Sequence, residues 1–283
     1  LKKYFSLIKF SHTVFALPFA IIGYHLGIVD GANFSIKGII AVVLCMVFAR
    51  SAAMAFNRYL DRNIDAQNPR TRMREIPSGA ISEYNAILFV IVNSILFIIT
   101  TYFINTICFY LSLIALLVIL GYSYTKRFTY LCHIVLGIGL SLAPLGAYLA
   151  VKGQFEILPL LFSGIVMFWV AGFDIIYALQ DEDFDKNSGL NSIPAKFGIK
   201  KALFIAQLFH VFSAIFLLST LLFYSNSIVY SIGAMLFLLF LLYQHSVVKI
   251  NDLSKINLAF FTANGIASIL YATFFLIDFY FLK

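Results

Sequence analysis

Charge is scarce in this 283-residue chain: Asp, Glu, Lys and Arg make up 12% of it, about half the share of an ordinary soluble domain. So little charge excludes a water-exposed fold. Cysteine is scarce too. Cys45, Cys108 and Cys132 stand singly in apolar surroundings, which excludes a disulfide framework and a thiolate metal site. No linker or low-complexity stretch divides the chain, so a single domain over residues 1–283 is expected. Alternation of period two is missing, which argues against an outer-membrane barrel. No small-residue cleavage site follows the first apolar run, so no cleavable signal is expected.

Apolar length is what the chain has in abundance. It is 61% hydrophobic and 17% aromatic, with a mean hydropathy of +0.93. Nine apolar segments cover roughly residues 11–29, 36–56, 84–103, 106–124, 132–151, 157–180, 202–223, 226–248 and 258–281. Such segments suit membrane crossing as helices, because lipid offers the backbone no hydrogen-bond partner and each segment must satisfy its own. The fold class expected is all-α: a polytopic membrane protein with nine transmembrane helices.

The connections sort by charge. One side holds the N-terminus and the segments around 57–83, 125–131, 181–201 and 249–257. With the adjoining helix ends, it carries seventeen of the 20 Lys and Arg, and only Lys37, Lys152 and Lys283 fall on the other side. The positive-inside bias makes the first side cytoplasmic. This places the chain in a cell inner (cytoplasmic) membrane, N-terminus in and C-terminus out. Topology also accounts for the net charge of +7, so the bilayer is the expected surrounding and no nucleic-acid partner is expected. No obligate protein partner is inferred.

Topology does not account for the acidic residues. Nine of the 13 lie in or beside two cytoplasmic segments. The first is Asn57–Pro77, NRYLDRNIDAQNPRTRMREIP, where Asn57, Asp61 and Asp65 recur every four residues and stack on one helix face. The second holds Asp174, Asp181 and Asp185. Magnesium takes a few carboxylates and completes its shell with substrate phosphate oxygens. Two facing clusters therefore suit a metal-held diphosphate, and carboxylates at membrane depth mark function by default. Candidate non-metal cations for the diphosphate are Arg58, Arg62, Arg70, Arg74, Lys126, Arg127 and Lys196, since guanidinium groups match phosphate oxygens in pairs. His12, at the cytoplasmic end of the first span, is a candidate acceptor contact. His25, His133, His210 and His245 form no ligand pattern and read as structural. Glu156 and Asp278 read as interfacial residues. Gly137-x-Gly139 and Asn264-Gly265 read as places of close helix packing.

NRYLDRNID followed by NPRT, with YALQDEDFD later, resembles the UbiA superfamily of intramembrane prenyltransferases. SHTVFALPFA and SIPAKFG resemble its 4-hydroxybenzoate polyprenyltransferase-like branch. The resemblance implies nine helices around a central cavity capped on the cytoplasmic side. It implies that Asn57, Asp61, Asp65, Asp181 and Asp185 bind diphosphate through Mg2+, the four aspartates being the catalytic set. Tyr122 and Lys126 match a tyrosine–lysine pair after the fourth helix, and Asp174 and Tyr177 match a DxIYA segment facing the cavity. With His12, these form the expected acceptor site. Some ubiquinone-pathway members carry an arginine before a proline on the first helix. Here that stretch is Lys9-Phe10-Ser11-His12-Thr13, which leaves the acceptor open between 4-hydroxybenzoate and a dihydroxynaphthoate.

The implied activity is magnesium-dependent transfer of a polyprenyl group from polyprenyl diphosphate to an aromatic acid, in ubiquinone or menaquinone biosynthesis. Metal and basic groups neutralise the departing diphosphate. The allylic cation needs a dry, aromatic wall, and the 31 Phe and 16 Tyr offer many faces. The ring proton goes to Asp174, Asp183 or diphosphate itself. Alternatives are the same fold with haem, homogentisate, a chlorophyll precursor or a lipid alcohol as acceptor. A CDP-alcohol phosphotransferase is disfavoured because its DGxxAR run is missing. A cation-coupled transporter is disfavoured because the carboxylates cluster at one face rather than near mid-membrane.

Overall fold

Side-chain caps set several helix starts. In the computed structural model, which describes residues 2–8 and 15–282, Ser35, Ser82, Asn105, Ser192 and Ser227 each accept a hydrogen bond from the backbone N–H three residues on. Each thereby satisfies a donor that the helix itself leaves unpaired. The helices are α1 (Lys2–Leu7), α2 (Leu17–Val29), α3 (Ile36–Leu60), α4 (Arg62–Gln67), α5 (Glu83–Ile104), α6 (Thr106–Thr125), α7 (Cys132–Lys152), α8 (Ile157–Ala178), α9 (Glu182–Asn187), α10 (Ile193–Phe223), α11 (Ile228–Val247) and α12 (Asn264–Phe281). A 3-10 turn, Leu179–Asp181, joins α8 to α9, and a π-helical stretch, Leu258–Ala263, leads into α12.

Among the described residues, eight helical stretches are long and apolar enough to cross a membrane, and α2 is a shorter apolar ninth. They follow the nine expected spans in order; the first, expected over 11–29, is helical over Leu17–Val29, and its residues 11–14 lie outside the described ones. α10 starts earlier than its expected span and is broken at Gly198, whose φ of 77° is one that side chains with a Cβ rarely adopt. Outward-facing Phe103, Leu117 and Leu222 are largely exposed, as suits a surface solvated by lipid tails.

The centre of the bundle is α8, which packs against α7 and α10. Glycine permits the approach. A Cβ at Gly137 would lie 2.3 Å from the Met167 carbonyl oxygen, and one at Gly172 would lie 2.3 Å from the His210 ring. Trp169, fully buried on α8, donates from Nε1 to Asn264 Oδ1 at 2.6 Å. Gln244 Nε2 donates to the same oxygen at 2.8 Å. Asn264 Nδ2 donates to the carbonyls of Ala259 and Phe260, which the π-helical stretch presents. Asn264 is therefore a hydrogen-bond hub between α8, α11 and α12. Asp278, expected at an interface, is 1% exposed and accepts from Ser227 Oγ at the start of α11.

Candidate functional site

Both acidic motifs line one cavity of about 610 Å³. Asn57 and Asp61 end α3, and α4 continues the column to Asp65: Asp61 N donates to Asn57 O at 2.9 Å and Asp65 N to Asp61 O at 2.7 Å. Opposite them stand Asp174 on α8, Asp181 on the 3-10 turn and Asp185 on α9. The loop after α4 connects the two sides. Asn68 Nδ2 donates to Asp181 Oδ1 at 3.2 Å, and Asn68 Oδ1 accepts from Arg70 N at 2.9 Å.

Each of the four aspartates has its own cation. Arg70 grips Asp181 with two bonds, Nε to Oδ1 at 3.0 Å and Nη2 to Oδ2 at 2.5 Å. Arg74 Nη1 reaches Asp65 at 2.7 Å, Lys126 Nζ reaches Asp185 at 2.9 Å, and Arg127 Nη2 reaches Asp61 at 2.8 Å. Charged hydrogen bonds of this kind are short and roughly twice as strong as neutral ones. Burial pushes the Asp61 carboxyl above the ordinary carboxylate range, against the opposing pull of Arg127 and Lys126. For Lys126, burial favours proton loss, but Asp185, and behind it Asp181 and Asp61, outweighs that and holds the ammonium above its usual range. Arg70 is likewise raised: its contacts with Asp181 and Tyr177 exceed the effect of burial.

The expected residues divide by placement. Asn57, Arg58, Asp61, Asp65, Arg70, Tyr122, Lys126, Asp174, Tyr177, Asp181 and Asp185 line the cavity. Arg62, Arg127 and Lys196 do not. Arg62 turns to Glu83 at 2.8 Å, Lys196 lies 3.9 Å from the Tyr130 ring centroid, and Arg127 reaches the site from behind, through Asp61 and the Ser123 carbonyl. His12 lies outside the described residues. Asp183, the other candidate proton taker, is not in the lining either. Arg50, Asn68 and Glu75, not singled out from the sequence, are also in the lining, and so is His133, which the sequence reads as structural. The NPRT run carried a signal for Asn68. Nothing at the spacing level marked His133, which donates no pattern of its own but bonds Asp174.

Beneath the charges is an aromatic wall. Phe15, Phe173 and Phe260 meet pairwise at centroid distances of 5.4–5.5 Å, and Tyr177 lies 4.1 Å from Phe260. The π-helical stretch brings Phe260 to this wall. Such bulges inside helices are frequent at functional sites.

The donor set fits magnesium. It is all oxygen, and Asp65 Oδ2 and Asp185 Oδ2 are buried without a hydrogen-bond partner, a costly state that a cation would relieve. Among the described residues, no three His, Cys, Asp or Glu side chains converge to hold an ion by themselves. Magnesium that keeps waters and substrate phosphates in its shell needs no such cage.

The comparisons with known proteins agree with one another. Residues 16–266 match the model of the UbiA prenyltransferase family. A 4-hydroxybenzoate octaprenyltransferase of Aliivibrio fischeri (strain MJ11) is 36% identical over 163 residues, 56% of this chain and 56% of that one. The chain thus aligns with about half the length of the curated relatives it matches first. The apo structure of a UbiA homolog from Aeropyrum pernix K1 superposes with a TM-score of 0.86 at 30% identity, over 94% of this chain and 98% of that one. A UbiA homolog from Archaeoglobus fulgidus, bound to GPP and Mg2+, shares the fold with a TM-score of 0.77 at 23% identity, over 97% and 98% of the two chains.

Proposed function

The chain belongs to the UbiA prenyltransferase family, and on that premise we propose that it transfers a polyprenyl group from polyprenyl diphosphate to the ring of an aromatic acid in quinone biosynthesis. 4-Hydroxybenzoate is the favoured acceptor, supported by the relatives that carry its name. The observation that carries the reading is the convergence of two aspartate motifs and an aromatic wall on one cavity. The whole chain acts as one domain in an inner membrane with the motifs on the cytoplasmic side, a reading supported by the distribution of Lys and Arg.

Asn57, Asp61, Asp65, Asp181 and Asp185 would hold Mg2+, which when bound neutralises charge on a departing diphosphate. The chain's own residues do the rest. Arg70, Arg74 and Lys126, now on the carboxylates, sit where they can turn onto phosphate oxygens. Arg58 is 5% exposed, and its Nε and Nη1 have no hydrogen-bond partner, so it offers further donors. Arg127 orients Asp61 from behind. Phe15, Phe173, Phe260 and Tyr177 exclude water from C1 of the prenyl group and turn ring faces toward developing positive charge. Tyr122, Asp174 and Tyr177 bound the space for the acceptor, within reach of Lys126.

The test is transfer of labelled polyprenyl diphosphate to a panel of aromatic acids in membranes, with and without Mg2+. Chelation abolishes transfer, and Asp61→Asn or Asp181→Asn lowers it ~10²-fold or more, the size of loss expected when a group stabilising transition-state charge is removed. Full transfer by both variants would sink the metal role. A wild-type protein that prenylates no aromatic acid would sink the function.

A further inference from the structure

Asp174 stands apart from the metal motifs. It precedes Asp181 by seven residues on α8, which places it ~10 Å further along the helix at 1.5 Å per residue, beside Phe173 and Tyr177 in the cavity lining. Its Oδ2 accepts a hydrogen bond from His133 Nδ1 at 2.7 Å. His133 is 2% exposed, and its other ring nitrogen accepts from the backbone N–H of Ile193 at 3.3 Å. A backbone N–H needs a lone pair to point at. The contact therefore puts the ring proton on Nδ1, aimed at Asp174. No described residue hydrogen-bonds to Asp174 Oδ1. The carboxylate is thus held by one oxygen and open at the other, in the part of the cavity between the diphosphate motifs and the apolar floor of Leu136, Leu140 and Val170.

We propose that Asp174 takes the proton of the acceptor's ring hydroxyl, with His133 as the positioning residue that holds Asp174 in place for it. The inference rests on the function proposed above. The O–H bond breaks and its proton passes to Asp174 Oδ1, leaving a phenolate whose ring carbon beside the oxygen is far more nucleophilic. As the C1–O bond of the prenyl diphosphate breaks, its electron pair leaves with the diphosphate, and a ring electron pair forms the new bond to C1. The phenolate oxygen is then the carbonyl oxygen of a neutral dienone, and passage of the proton on that ring carbon to this oxygen restores the aromatic ring. One proton is released overall, carried on Asp174 until product leaves. His133 does not touch the acceptor. Its part is to fix one carboxylate oxygen so that the other meets the hydroxyl, just as a hydrogen-bonded partner orients a catalytic base elsewhere.

Steady-state transfer to 4-hydroxybenzoate tests this with His133→Leu, His133→Asn and Asp174→Asn. A parallel series uses a ring-fluorinated 4-hydroxybenzoate with one position beside the hydroxyl left open, whose more acidic hydroxyl needs less help from a base. Asp174→Asn lowers kcat by ~10²–10⁴-fold, the usual contribution of a general base. His133→Leu lowers it ~10–100-fold, while the KM for prenyl diphosphate stays within about threefold. His133→Asn, whose amide N–H replaces the Nδ1 donor, recovers most of the rate. With the fluorinated acceptor the losses in Asp174→Asn and His133→Leu shrink, each measured against wild type on the same acceptor. A merely structural role would give equal losses on both acceptors. That result, or unchanged kcat in His133→Leu, overturns the proposal while leaving the transferase function standing. If His133→Leu does not fold, the Asp174→Asn and His133→Asn comparison across the two acceptors decides it. A wild-type protein that transfers to neither acid overturns both.

Discussion

Residue by residue, the cavity holds matched charges: Asp61 with Arg127, Asp65 with Arg74, Asp181 with Arg70, Asp185 with Lys126. The last pair bears most on stability, because Asp185 is 1% exposed and Lys126 is its one ion-pair partner among the described residues. Removing one member of a buried pair leaves an uncompensated charge. Lys126→Met should therefore cost about 1–3 kcal/mol, below the value for a fully buried pair because solvent screens the one-third-exposed lysine. The added change Asp185→Leu should restore most of the loss. Lys126 has its folded pKa raised, so its contribution is fully present below the unfolded ammonium value of about 10.4 and is lost as pH rises through the folded one. The gap in Tm between wild type and Lys126→Met should accordingly hold steady from about pH 6 to about pH 9 and close only above the ordinary lysine range. A gap that closes near neutrality would show that the pair is not its source. The aspartates were legible in advance because spacing of four is a property of the chain alone. The partners of Arg62, Arg127 and Lys196 were not, because the direction a long side chain takes depends on the path of loops distant in sequence.

At the scale of helices, close packing depends on a few small residues. Gly137 faces the backbone of α8, where an added Cβ would sit 2.3 Å from a carbonyl oxygen, whereas at Gly139 it would meet only Ile119 at 3.8 Å. Gly137→Ala should therefore destabilise the protein by about 1–3 kcal/mol, the usual cost of overpacking, and Gly139→Ala should change it by no more than about 0.5 kcal/mol. Thermal unfolding in detergent compares the two, and equal shifts would rule out the backbone clash. The sequence marked the Gly137-x-Gly139 pair as a packing site without telling its members apart. That distinction needs the neighbouring helix in place. The same holds for Asn264: its partners Trp169 and Gln244 lie on two other helices, and no local pattern links the three.

For the whole molecule, sidedness is the consequence open to direct measurement. Exposed Gln154 follows α7 and exposed Ser188 follows α9, on opposite sides of the expected topology. With the native cysteines replaced, Gln154→Cys should react with a membrane-impermeant thiol reagent in intact cells, and Ser188→Cys only in inverted vesicles. The reverse pattern would invert the topology and put the motifs outside. By itself, the sequence determined the nine spans, their charge bias and the two carboxylate columns, because apolar length, lysine and arginine placement and four-residue spacing are local quantities. Tertiary structure alone decided the rest: that the two columns share one cavity, which cation serves which carboxylate, and that a histidine with no motif of its own stands behind Asp174. Those contacts join residues from 9 to 111 positions apart, and only packing of the helices brings their side chains within hydrogen-bond reach.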